Sequence, residues 1–243
     1  MRWTSVIAVI ACACLTGCGG SPRSASTSTP YTVSATSSTV AAAPAVAPGP
    51  VHPPPVRRAA NPCPSRSSLA LEQTAALPST KTPCFRAVVR ALWRAIQAGS
   101  TRGAVYAFFP LRAYEQVKAI GDPRGDYTGR LLADYVLDLR AAHEVLGPGA
   151  RAARLVHAIV PAGYVHWVPP GACYNRLVYY EVPNARLVYR VAGQVRSFGI
   201  ASMIAWRGTW YVVHLGAVTR TGEDGVVDDP SDGPGTSEPS LTC

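Results

Sequence analysis

The chain has 243 residues, 48% of them hydrophobic, with 23 Lys and Arg against 14 Asp and Glu and a formal net charge of +9. That length allows one ordinary domain plus accessory segments, and the apolar content can bury a core. Composition excludes a collagen, a coiled coil and a wholly disordered chain.

Residues 1–17 have the pattern of an export signal. One positive charge, Arg2, precedes an apolar run from Val6 to Leu15. The run is shorter than the ~20 apolar residues of a membrane-spanning helix and fits the core of a secretory signal. It closes on Leu15-Thr16-Gly17-Cys18. These four residues resemble the lipobox of bacterial lipoproteins. The resemblance implies cleavage before Cys18, a diacylglycerol thioether on its sulfur, and acylation or exposure of the new amino group. Thr16 and Gly17 are small enough for a peptidase to admit the extended backbone. Two or three acyl chains anchor stably where one is marginal. The expected location is the extracytoplasmic face of the cell membrane, with the lipid anchor as the membrane contact.

Residues 18–61 carry the anchor cysteine and then a Ser/Thr/Ala/Pro-rich stretch that includes Pro53-Pro54-Pro55. Large apolar side chains are nearly absent, so little offsets the entropy of ordering. A disordered, partly polyproline-like tether with a coil length of roughly 35 Å is expected. Residues 62–220 have globular composition and hold 19 Lys and Arg against eight Asp and Glu. Residues 221–243 turn Gly/Pro-rich and acidic, with six acids and no base, and end in Cys243. A disordered tail is expected there, except for one device: the charge contrast favours its folding back over the basic domain.

The first half of residues 62–220 has helical periodicity. A short helix is predicted between Ser67 and Leu77. Cys84–Ala98 places Val89, Leu92, Trp93 and Ile96 on one buried face, and Gly99 stops it. Ser100 or Thr101 can cap a second helix, which Pro110 interrupts or restarts before Ile120. Asp126 can cap a third, with Leu132, Tyr135, Val136, Leu139 and Leu146 on one stripe, stopped by Gly147-Pro148.

Strands dominate the second half. Leu155–Val160 and Tyr164–Val168 are short β-rich runs. Leu177–Val182 and Arg186–Val191 flank Pro183-Asn184, a turn signal. Gln194–Trp206 is long, with Phe198, Ile200, Ile204 and Trp206 on one parity and mostly small residues on the other. Gly199 within it suggests a bulge or bend. Arg207-Gly208 makes a tight hairpin into Thr209–Val218.

Helices followed by antiparallel strands predict an α+β fold, with N-terminal helices packed on a bent antiparallel sheet. The element order, the long bent strand and the closing hairpin Trp206-Arg207-Gly208-Thr209-Trp210-Tyr211-Val212-Val213 resemble the nuclear-transport-factor-two-like (ketosteroid-isomerase-like) cone over about residues 84–218. That resemblance implies a pocket between helices and sheet. The family holds both enzymes and binding modules, so it leaves function open.

Four cysteines remain after Cys18 and the two in the signal: Cys63, Cys84, Cys173 and Cys243. An even number in an exported chain predicts two disulfides with three connectivities. A local Cys63–Cys84 bridge would leave Cys173 for Cys243, and Cys84–Cys173 is the alternative. None forms a C-x-x-C pair. His52, His143, His157, His166 and His214 are scattered, without metal-site spacing. His143 and His214 are the candidate general bases of a cone pocket, set against the plainer role of a ring held by a backbone carbonyl. Asp126, Arg130, Asp134 and Asp138 form an i, i+4 ladder, and Arg130 can pair with both Asp126 and Asp134, a solvated salt-bridge face. Arg140 and Glu144 fit the same pattern. Arg86, Arg90 and Arg94 line one face of the first strong helix, suited to anionic lipid or envelope polymer.

No phosphate loop and no G-x-S-x-G is present. Neither a cofactor nor a metal is expected, and a nucleic-acid partner suits a lipid-anchored domain poorly. The expectation is a non-catalytic envelope module that binds a small ligand or a protein partner. The alternatives are a small-molecule enzyme with a histidine base in a cone pocket, and a structural component of an envelope assembly.

Overall fold

The structure is a computed structural model and describes residues 74–238. The signal, Cys18, the tether with His52, and Cys63 and Cys243 lie outside these residues. So does most of the short helix predicted between Ser67 and Leu77, and residues 74–77, its described end, are not helical.

Helix α1 spans Pro83–Ala98. Thr82 caps it, its side chain accepting from the Phe85 N–H at 3.1 Å, and Pro83 follows at the first helical position, where its missing N–H costs nothing. Gly99 ends it in the left-handed conformation, φ 57°. Val89, Leu92, Trp93 and Ile96 are all buried. A short 3₁₀ turn, Ala104–Tyr106, leads to α2, Leu111–Val117, which starts directly after Pro110. The third predicted helix begins earlier than its expected cap. Asp122, not Asp126, caps α3 (Pro123–Asp126), accepting from the Gly125 N–H at 2.8 Å. A π turn, Tyr127–Leu131, joins α3 to α4, Leu132–Leu146. The wider π turn shifts the stripe, so the buried row is Leu131, Tyr135, Asp138, Leu139, Ala142 and Leu146.

The strands are β1 (Arg154–Ile159), β2 (His166–Val168), β3 (Tyr179–Val191), β4 (Gln194–Trp206), β5 (Thr209–His214) and β6 (Ser231–Asp232). They form one antiparallel sheet of order β1-β3-β4-β5, with β2 also on β3 and β6 also on β4. The domain is therefore mixed α+β.

Pro183-Asn184 is not a turn. β3 runs through it as one strand, with Asn184 alone taking a positive φ of 52°. The partner β4 keeps one register on both sides of Asn184, with Pro183 opposite Ser202 and Ala185 opposite Ile200, so the strand continues instead of reversing. Gly199 is likewise in regular register, opposite Arg186. The register shift in β4 lies between Ser202 and Met203, against β5. Both tight hairpins, Ala192-Gly193 and Arg207-Gly208, place two successive residues at positive φ, as two-residue turns between twisted strands require.

Alternation assigns the sheet faces. Leu187 and Phe198 pair, as do Ala185 and Ile200. Their side faces the helices, where Trp93 meets Tyr189 with ring centroids 5.4 Å apart. Arg186, Ser197 and Gly199 lie on the other side.

The tail is ordered where a disordered one was expected. β5 ends opposite Ser202, and the tail continues the open edge of β4 as β6, pairing with Arg196 and Ser197. The Gly199 N–H donates to Asp228 O at 2.7 Å. Arg186, 1% exposed, clasps the tail. It donates to Asp229 Oδ2 at 2.5 Å, to Pro234 O at 3.2 Å and to Thr236 O at 3.0 Å. A Cβ on Gly199 would lie 2.0 Å from Asp228 Oδ2, so glycine there admits the tail. Unpaired edges invite association, and the acidic strap covers this one.

Candidate functional site

Segment 107–119 closes one end of the sheet. Phe109 N donates to Val212 O at 2.9 Å, and Arg176 N donates to Val117 O at 2.7 Å. Between this segment and the helix side of β3, β4 and β5 lies a cavity with about 60 Å³ of space open to water-sized groups. That holds a few waters or a small chemical group. Phe109, Val117, Ile204, Val213 and Val218 supply apolar wall, and Tyr114, Lys118, Tyr179, Glu181, Ser202 and His214 supply polar atoms.

Glu181 is the central group. It is 3% exposed, and Ser202 Oγ donates to its Oε1 at 2.7 Å. His166 on β2 brings Nε2 to 3.7 Å from Oε2, with its Nδ1 3.2 Å from Tyr164 O. Lys118 Nζ donates to Cys173 O at 2.8 Å, and burial holds the ammonium below the usual lysine range. Asn175 Nδ2 donates to Tyr179 OH at 2.9 Å. Burial, then the nearby Glu181 charge, pushes the Tyr179 hydroxyl above its ordinary range.

The structure brings His214 into this cavity. Burial, and then the positive charges of Arg130, Arg220 and Lys118, depress it to about 4. The ring is neutral at pH 7 and its conjugate acid is strong, so it is a weak base there. His143 lies elsewhere, in an open groove with Arg94, Gln97, Ala98 and Arg151. Its Nδ1 is 2.9 Å from Ile96 O, which only accepts, so Nδ1 carries the proton. Gly99 allows this approach, since a Cβ there would lie 2.8 Å from His143 Cδ2. His157 is exposed on β1. Among the described residues no three His, Cys, Asp or Glu side chains group so as to hold a metal ion, and no helix is long and apolar enough to cross a membrane. Cys84 is buried at the start of α1, and Cys173 sits in a turn at φ 48°. Both are disulfide-bonded. Their expected partners, Cys63 and Cys243, lie outside the described residues.

The predicted acidic ladder divides. Arg130 pairs with Asp126 at 2.7 Å on an exposed face, as expected. Burial raises the hydroxyl pKa of Tyr114, and that hydroxyl donates to the same Asp126 carboxylate. Asp134 instead meets Arg220, at 3.3 Å. Asp138 corrects the expectation of a solvated face: it is 1% exposed. It accepts from the Gly216 N–H at 2.8 Å, the Val226 N–H at 2.9 Å and Arg220 Nη2 at 2.5 Å. The carboxylate is thus the pin that holds the chain after β5 onto α4.

Glu181, Ser202 and Lys118 belong to no motif in the sequence. One signal was available. Glu181 is the only carboxylate between Glu144 and Glu223, a stretch that spans β1 to β5.

No protein-family model, curated protein or solved structure matches this chain.

Proposed function

We propose that the protein is a lipoprotein held at the extracytoplasmic face of the cell membrane by Cys18, and that its cone-like domain binds a small molecule without transforming it. The observation that carries the binding reading is Glu181, a carboxylate buried at the wall of a largely apolar cavity. Buried charges are retained where they are hydrogen-bonded or meet a partner. A small, half-apolar ligand with one amine or hydroxyl donor suits this lining. The non-catalytic reading draws support from His214, whose depressed basicity makes it a poor proton acceptor near neutral pH. The same ring and Glu181 line one cavity, which supports an enzyme with a His214 base as the second reading.

Two disulfides, Cys63–Cys84 and Cys173–Cys243, complete the proposal. The second would tie down a tail that already runs along β4. Loop closure of this kind contributes ~2–4 kcal/mol.

Thermal-shift and native mass-spectrometric screening of the full chain with small amines and alcohols tests the cavity. Binding should vanish in Glu181→Gln and weaken in Ser202→Ala. Binding indifferent to both would place the ligand elsewhere. Turnover of any bound compound that His214→Gln abolishes would favour the enzyme. The anchor is tested by lipid labelling, which Cys18→Ala should abolish; unchanged labelling would remove the lipobox assignment.

A further inference from the structure

Arg86, Arg90 and Arg94 occupy successive turns of the exposed face of α1. Four residues of helix rise about 6 Å, so the three guanidiniums span about 12 Å along the axis. The row runs into the groove where Arg94, His143 and Arg151 meet. Arg151 is held there indirectly. Gln97 Nε2 donates to Ala150 O at 3.3 Å and to Ala153 O at 2.7 Å, tying the loop on either side of Arg151 to α1. His143 has its Nδ1 committed to Ile96 O, which leaves Nε2 for the groove. Among the described residues no carboxylate lies within ion-pair distance of Arg86, Arg90, Arg94 or Arg151. Five arginines of the domain do have a carboxylate: Arg124 meets Glu115, Arg130 Asp126, Arg186 Asp229, Arg196 Asp232 and Arg220 Asp138.

We propose that this face, Arg86, Arg90 and Arg94 with Arg151 and His143 at its end, lies against the anionic phospholipid headgroups of the membrane. The groups are exposed and arranged as a row, which suits many phosphodiesters in a plane better than one enclosed phosphate. The described chain begins at residue 74, packs against the domain through Pro78 O, which accepts from Trp210 Nε1 at 3.0 Å, and then reaches Arg86 in the first turn of α1. An anchor upstream of residue 74 brings the membrane within reach of this face. The proposal rests on the lipid-anchor reading only for the membrane being nearby, and its test removes the anchor.

The probe is the chain from residue 18 onward carrying Cys18→Ser, mixed with phosphatidylglycerol/phosphatidylcholine vesicles and with pure phosphatidylcholine vesicles. A guanidinium near an anionic surface strengthens partition about fivefold. Arg86→Gln/Arg90→Gln/Arg94→Gln should then weaken binding to the anionic vesicles about 100-fold. The control Arg112→Gln/Arg176→Gln/Arg190→Gln, three exposed arginines without a carboxylate partner among the described residues and off this face, should weaken it far less. Binding should be absent on phosphatidylcholine and lost in high salt. Equal losses in both triple variants, or equal binding to both vesicles, would overturn the proposal. So would displacement by millimolar inorganic phosphate at constant ionic strength, which would mark a free-phosphate site. Loss of lipid labelling in the native chain would sink the anchor alone and leave this partition intact.

Discussion

Asp138 offers the sharpest test of how the domain is held together. Its carboxylate is 1% exposed and takes three donors: the Gly216 N–H, the Val226 N–H and Arg220 Nη2. Desolvation raises its pKa, while Arg220 and the two amides oppose the shift. Asp138→Ala removes the acceptor from two backbone amides and leaves Arg220, its side chain only 10% exposed, with Asp134 as its remaining carboxylate. Breaking a buried pair from one side costs ~3–5 kcal/mol, because the surviving charge stays desolvated. A domain of this size loses about 2–4 °C of Tm per kcal/mol, so the melting temperature should fall by ~6–20 °C.

The isosteric Asp138→Asn keeps one carbonyl acceptor and should lose about half as much. Arg220→Met leaves a buried carboxylate with only its two amide donors. The double variant Asp138→Asn/Arg220→Met should be more stable than the sum of the single losses predicts, since neither charge is left stranded. Urea unfolding of the full chain measures each corner of the cycle, and hydrogen exchange reads residues 216–226 directly. An Asp138→Ala loss below about 1 kcal/mol, or unchanged protection at Gly216 and Val226, would refute the pin.

Leu92 is 1% exposed inside the core, so Leu92→Ala should cost about 2–5 kcal/mol in chemical unfolding; a loss near zero would count against the α1 register. His214 titrates in the fold at about 4 against an ordinary 6.5. The native state therefore binds fewer protons than the unfolded chain between these values. Its stabilising contribution is full above about pH 6.5 and is lost as pH falls towards about 4, by up to ~3 kcal/mol. Asp228 acts oppositely. Burial and Asp229 push it up to about 6 from 3.8, so its contribution is full below about 3.8 and fades as pH rises through about 6. Stability against pH for His214→Gln and Asp228→Asn should separate the two slopes. Arg186→Met should release the strap, raising amide exchange at residues 228–236 while α1 stays protected; unchanged exchange would show that strand pairing alone holds it.

α1 was legible because its signals are local: a Thr82-Pro83 start, a Gly99 stop and an apolar stripe of one period between them. α3 was misplaced because its Asp122-Pro123 start precedes a π turn, and the extra residue of that turn breaks the spacing on which the stripe was projected. Pro183-Asn184 carried a sound turn signal, overridden by ten register pairs with β4. The small residues of β4 have a plain reason in the structure. Ser197 and Gly199 face the returning tail, which needs close approach. Charge contrast predicted the tail's return, but not that it would fill the edge β5 leaves open. Asp138 sat in a ladder of correct spacing, and nothing within α4 distinguishes it from Asp134. Its burial is decided by Gly216, Arg220 and Val226, residues about eighty positions away.

The cavity was hidden for a related reason. Its polar groups come from Lys118, Glu181, Ser202 and His214, which no sequence window contains together. Register alone assembles them. Glu181 stands opposite Ile204, so Ser202, two positions along β4, shares its face of the sheet. A slip of one residue between β3 and β4 would send Glu181 to the opposite face. His214 depends on a smaller detail. β5 pairs Met203 with Val212 and Ile204 with Tyr211, a register that would set Val213 opposite Ser202. The shift between Ser202 and Met203 advances β5 by one residue and places His214 there instead. Bulges re-aim side chains beside functional sites, and this one turns a histidine towards Glu181's face of the sheet. Its position was not marked by Gly199, the residue that looked like a bulge. It falls at Ser202, whose hydroxyl binds Glu181, so the residue that starts the irregularity also orients the carboxylate it serves.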